Sequence, residues 1–103
     1  MVYDRPSSES FTGRVEAPDG TIYLVVMEGW YWNSLDWIHE NTEWNDRDFI
    51  RMAWNCANQP SDVIGDTRSL QSRFIYFFKA HIYYHMTDIL NKEDGIIDDN
   101  INI

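Results

Sequence analysis

Cysteine is nearly absent from this sequence. Cys56 stands alone, which rules out an intrachain disulfide and any zinc site built on four cysteine thiolates. Bases are scarce too, with 8 Lys and Arg against 17 Asp and Glu and a formal net charge of −9. A surface of that sign repels nucleic acid unless its few bases converge on one face. No apolar run approaches the ~18 residues that a bilayer span requires, and the opening M-V-Y-D-R-P-S-S-E-S lacks the pattern of a secretory signal. A free thiol without an export signal points to the cytoplasm, with no membrane partner. There is no internal repeat and no low-complexity segment. No Gly-rich oxyanion loop or ordering carboxylate accompanies Cys56 and the histidines, so no enzymatic activity, small-molecule substrate or cofactor is expected.

Aromatic residues are plentiful, at 16% of 103 residues, and apolar residues make up 44%. That content excludes a disordered chain despite the charge, and the length permits one domain. Large rings suit a small core or a subunit interface, and small domains often gain burial by dimerising.

The organising stretch is T-I-Y-L-V-V-M-E-G-W-Y-W, residues 21–32. Its first seven residues favour a strand apolar on both faces, and Glu28-Gly29 then switches to a helical pattern. Upstream, residues 1–19 form a polar arm in which 11–16 make a short strand. Ala17-Pro18-Asp19-Gly20 is a strong turn signal, so 11–16 and 21–27 can close a hairpin. Downstream, Tyr31, Leu35 and Ile38 repeat at helical spacing and predict a first helix over 30–41. Asn45 caps a second helix, with Asp46 and Asp48 in its first turn and Phe49, Ile50, Ala53 and Ala57 facing inward; Pro60 ends it. A third helix is predicted over about 67–90, capped by Asp66 or Thr67. It is apolar around so much of its girth that burial on two sides is expected, one of them in a dimer. Residues 91–103 read as an acidic tail.

The order strand, capped helix, loop, helix resembles the ribbon-helix-helix family, in particular a bacterial branch with a third helix appended. The likeness lies in Gly20, the strand at 21–26, Met27-Glu28, Tyr31-Trp32 and Leu35. Asn45 with Phe49-Ile50, and Leu70-Gln71-Ser72 leading to Phe74, Phe77 and Phe78, extend it. It covers residues 20–84. The resemblance implies an α+β, mostly helical homodimer, with a short antiparallel two-stranded ribbon and three helices per protomer spanning residues 20–90. In DNA-binding members such a ribbon enters the major groove, and the second helix offers its first amides to a phosphate.

Alternation along the strand puts Tyr23, Val25 and Met27 on one face and Ile22, Leu24 and Val26 on the other. With Met27 leading into the core, the reading face is Ile22, Leu24 and Val26, none of which can hydrogen-bond a base edge. The contacts left for duplex DNA are Arg14, Thr21, Arg47 and Arg51. Trp37 and Trp44 are the tryptophans expected at the surface, and with the strand face they mark a dimer or partner surface. His81 and His85 lie at i, i+4 with Asp88 following, a metal-like spacing. Two histidines within an aromatic interface account for it better, and no metal is expected. Two functions follow. One is a small dimeric transcriptional regulator with altered DNA readout. The other is an acidic inhibitor of phage type, binding a basic nucleic-acid-binding protein by presenting acids in place of phosphates.

Overall fold

The computed structural model of the protein describes residues 6–59 and 68–101, with side chains described as far as Lys92. The loop over 60–67 and the expected caps Asp66 and Thr67 lie outside the described residues. Strand β1 (Ser10–Glu16) pairs antiparallel with β2 (Ile22–Glu28), and helices α1 (Gly29–Asn41), α2 (Asp46–Ala57) and α3 (Leu70–Ile101) follow. The fold is α+β and mostly helical, as expected.

The hairpin closes through the three residues Pro18-Asp19-Gly20. Gly20 N–H donates to Ala17 O at 2.9 Å, Asp19 Oδ1 accepts from Thr21 N–H at 3.0 Å, and Gly20 adopts φ +90°. Only glycine takes that backbone conformation without steric cost, and it sets the right-handed twist of the ribbon. The register pairs Arg14 with Leu24 and Phe11 with Met27.

One side chain fastens this hairpin to the helices. Trp32, in the first turn of α1, donates its indole N–H to both Phe11 O (3.0 Å) and Met27 O (3.1 Å), one carbonyl from each strand. Its ring lies against β1 at Gly13, where a modest side chain would have no room. A Cβ placed there would stand 2.4 Å from Cη2 of the indole.

Helix α2 begins with a reciprocal cap. Asn45 Oδ1 accepts from the N–H groups of Arg47 (3.0 Å) and Asp48 (3.3 Å), and Asp48 Oδ2 accepts from Asn45 N–H at 2.9 Å. Such a cap is worth about 1 kcal/mol. At the other end, Arg73 of α3 donates Nε–H to Ala57 O at 2.9 Å, placing a cation on the negative pole of α2. Phe49, near the start of α2, meets His85 far along α3, so the two helices run antiparallel.

The core sits between the hairpin's inner face and these helices. Phe74, Phe78, Ile82 and Met86 follow at four-residue steps along α3 and are buried against Phe49, Ala53 and Ala57 of α2, Leu35 and Ile38 of α1, and Val15, Val25 and Met27 of the hairpin. Phe74 is a junction, with ring centroids 5.2 Å from Tyr23, 5.8 Å from Trp54 and 6.1 Å from Phe78. Each fully buried Phe, Ile or Met of this core contributes about 1.5–3 kcal/mol.

One expectation needs correcting. Helix α3 does not stop near residue 90; its backbone stays helical to Ile101, through the stretch read as an acidic tail. No proline interrupts it, a lone glycine costs only about 1 kcal/mol, and Lys92 pairs with Asp88 at 3.2 Å across the turn where the stop was expected. Within one protomer α3 is buried along one stripe, leaving Tyr76, Tyr83, Tyr84 and Leu90 exposed.

The tie between Gly13 and Trp32 is testable. Gly13→Ala should lower the unfolding free energy by about 1–3 kcal/mol through overpacking, measured by urea denaturation. Trp32→Phe, which shortens the ring system, should absorb part of that cost. The double variant is therefore expected to lose less than the two single losses together.

Candidate interaction surface

The inner face of β2 carries Tyr23, Val25 and Met27 toward the core, and the outer face carries Ile22, Leu24 and Val26 into solvent, at 44%, 59% and 54% exposure. Three adjacent aliphatic side chains this open form a contiguous apolar patch, of the kind that marks an interaction site. On the same face, the cross-strand neighbours from β1 are Thr12, Arg14 and Glu16. The outer face is thus divided lengthwise into an apolar row on β2 and a polar row on β1.

The hydrogen-bond parity of the hairpin adds a second property. Ala17 N–H donates to Thr21 O at 2.8 Å, and Gly29 N–H donates to Glu9 O at 2.7 Å. Both pairs share the strand register, in which bonded and non-bonded pairs alternate. The odd residues of β2 therefore turn their peptide groups toward β1, whereas Ile22, Leu24 and Val26 turn theirs toward the open edge. Among the described residues, the side chains that lack cover and the backbone groups that lack a strand partner belong to the same three residues. The usual blunting devices, a charge, a proline or a bulge, are missing from 22–27.

The four expected DNA contacts are dispersed, and two of them line one cleft. Arg14 and Arg47 line one cleft of about 460 Å³ between the end of β1, α1 and the start of α2, together with Glu16 and Asp46. Thr21 sits at the hairpin turn, where its N–H is engaged by Asp19. Arg51 is exposed and 3.9 Å from Asp48, a surface pair of little energetic weight. The α2 amides that a phosphate would use, those of Arg47 and Asp48, already donate to Asn45.

The two surface tryptophans part company. Trp44 is 39% exposed, its ring 4.8 Å from His85 and 5.8 Å from Phe49. Trp37 is half-buried, because its ring packs against the core. A further exposed surface, outside the expected site residues, runs along α3. Tyr76, Tyr83 and Tyr84, with Lys79 and Ala80, line an open cavity of about 320 Å³ with Tyr31 of α1. Lys79 joins three elements there, 3.3 Å from the Glu28 carboxylate and 5.0 Å from the Tyr31 ring centroid. The i, i+7 spacing of Tyr76 and Tyr83 was the available signal.

His81 lies 3.6 Å from Cys56, Nε2 to Sγ, and His85 packs between Trp44 and Phe49. Among the described residues no group of three or more His, Cys, Asp or Glu is placed to hold a metal ion. Burial pulls the His81 pKa below 6.5. Burial does the same to His85, reinforced by Lys92 and opposed by Asp88. The Glu28 carboxyl is held below 4.5, first by a backbone N–H and then by Lys79, against the opposing effect of burial.

Compared with known protein families, curated proteins and solved structures, the chain matches none. Among the described residues no helix is long and apolar enough to cross a membrane.

The histidines set an acid limit on stability. Their folded pKa values lie below the unfolded value of 6.5, so on acidification the unfolded chain takes up protons first. Stability is therefore complete above that value and declines as pH falls through and below it. The Glu28 contribution is lost only later, below 4.5. The urea midpoint should drop between about pH 7.5 and pH 5.5, and replacing His81 and His85 with Gln should flatten the drop.

Proposed function

We propose that this protein is a homodimeric protein-interaction module, a ribbon-helix-helix-like scaffold used as an acidic, inhibitor-type binder. The observation that carries the reading is the coincidence on β2 of uncovered side chains and an open backbone edge at Ile22, Leu24 and Val26. A second copy supplies what that edge lacks. Antiparallel pairing about a twofold axis at Leu24 sets Leu24 opposite Leu24 of the partner and Ile22 opposite the partner's Val26, joining β-branched and aliphatic side chains across the new ladder. The result is a four-stranded sheet with β1 at either margin, where Thr12, Arg14 and Glu16 form a polar border. Its centre is apolar on the outer face and offers a protein surface to a basic partner.

The dimer also bears on DNA. The major groove, ~12 Å wide, admits a two-stranded ribbon. Four strands ~4.8 Å apart measure about 14 Å between the outer axes alone. With aliphatic side chains at the centre, such a sheet neither fits the groove nor reads bases. One observation favours the regulator as a second reading: Arg14 and Arg47 line the same cleft. That reading expects duplex DNA to be retarded at low salt and released when both arginines become Ala. No retardation at any salt concentration removes it.

Dimerisation is tested by proline placement. Leu24→Pro removes an N–H directed at the open edge, so the hairpin should survive while the dimer dissociates. Val25→Pro removes an N–H directed at β1 and should unfold the hairpin. Sedimentation should give a dimer for the parent and a folded monomer for Leu24→Pro; a monomeric parent at micromolar concentration contradicts the assembly.

A further inference from the structure

Helix α3 carries two stripes of different pitch. The buried one, Phe74, Phe78, Ile82 and Met86, advances in steps of four and drifts around the helix, which suits the oblique contacts of the core. The second runs through Tyr76, Ala80, Tyr83, Thr87 and Leu90 in alternating steps of four and three, with Tyr76, Tyr83 and Leu90 exposed. That alternation holds a stripe straight along the axis, the seam by which one helix lies lengthwise against another. Among the described elements, one helix has the length and the uncovered face to be that partner. The helices α1 and α2, of 13 and 12 residues, are packed into the core, whereas α3 runs for 32.

We infer that two copies of the protein pair through this seam, α3 against α3 in antiparallel orientation. Charge along the helix sets the direction. Residues 70–87 hold Arg73 and Lys79 and no acid, whereas 88–101 hold five acids and Lys92. With the pairs Lys79–Glu28 and Asp88–Lys92 set aside, four acids remain at 93–99. Parallel pairing would lay the two acidic blocks side by side. Antiparallel pairing parts them and brings each toward the positive pole at the start of the other α3. A twofold axis level with residue 85 sets Leu90 opposite the partner's Ala80 and Tyr83 opposite the partner's Thr87, each a large residue against a small one. Ala80 lines the open cavity of about 320 Å³ among Tyr31, Tyr76, Tyr83 and Tyr84, and Leu90 is the knob that fills it. The three exposed tyrosines and Leu90 offer on the order of 400 Å² per protomer, about half of what a standard interface buries. The contact is therefore weak and forms above the micromolar range. It goes beyond the β2 reading and does not require it.

The test is cross-linking of the full chain carrying Cys56→Ser, Ala80→Cys and Leu90→Cys, at about 0.3 mM. Mild oxidation and peptide mass mapping should show a disulfide from position 80 of one copy to position 90 of another. On one helix these positions stand about 15 Å apart, too far for a link within a chain. Links of 80 to 80 and 90 to 90, or no link, overturn the pairing. Tyr83→Glu, made alone, should weaken the concentration-dependent mass gain seen by sedimentation about tenfold or more; an unchanged gain overturns the proposal as well. Adding Leu24→Pro to the cross-linking chain separates the two interfaces. The 80-to-90 link should persist there, and its loss would overturn an independent α3 seam. A chain that is monomeric at micromolar concentration yet forms the link at the higher one keeps the seam and loses the β2 dimer.

Discussion

Everything on the outer side of this molecule depends on how the hairpin is held from beneath, and Trp32 holds it. Its indole N–H is shared between a carbonyl of each strand, and its ring occupies the space Gly13 leaves open. An isolated two-stranded hairpin is marginal in water. Here the indole joins both strands to the first turn of α1, and Val15, Val25 and Met27 press the same face into the core. With the inner face fixed, strand alternation leaves no freedom: Ile22, Leu24 and Val26 must face out.

That constraint turns a packing result into a functional one. A register slip of one residue would bury the aliphatic trio and expose Tyr23, Val25 and Met27. The Pro18-Asp19-Gly20 loop and the indole bridge oppose such a slip from opposite ends of the hairpin. The exposed trio is therefore a specified surface, and its even parity directs the matching peptide groups to the open edge. Side-chain face and backbone edge are properties of the same residues.

Features governed by local rules were legible in the sequence. The turn follows from Pro and Gly, the α2 cap from Asn45 and Asp48, and the division of β2 into two faces from alternation anchored at Met27. What escaped depends on distant pairs. Trp32 lies 21 residues from Phe11, and His81 lies 25 from Cys56, so no periodicity announces either contact. Trp37 and Trp44 looked alike, yet one ring folds onto the core and the other packs at a tilt against His85, a choice made by tertiary packing. The far end of α3 was misjudged because polar composition resembles a tail, whereas helical backbone tolerates it wherever proline is missing. Of the residues expected to contact DNA, Arg14 and Arg47 come to line one cleft because β1 folds against the start of α2, beyond what spacing reveals.

The central claim is that β2 offers its open edge to a second copy. Amide hydrogen exchange across a dilution series reads that edge directly, because the amides of Leu24 and Val26 point outward while those of Tyr23 and Val25 bond to β1. The account predicts that protection of Leu24 and Val26 rises with protein concentration, while Tyr23 and Val25 stay protected throughout. Exchange at Leu24 and Val26 that is fast and independent of concentration, beside an intact hairpin, would contradict it.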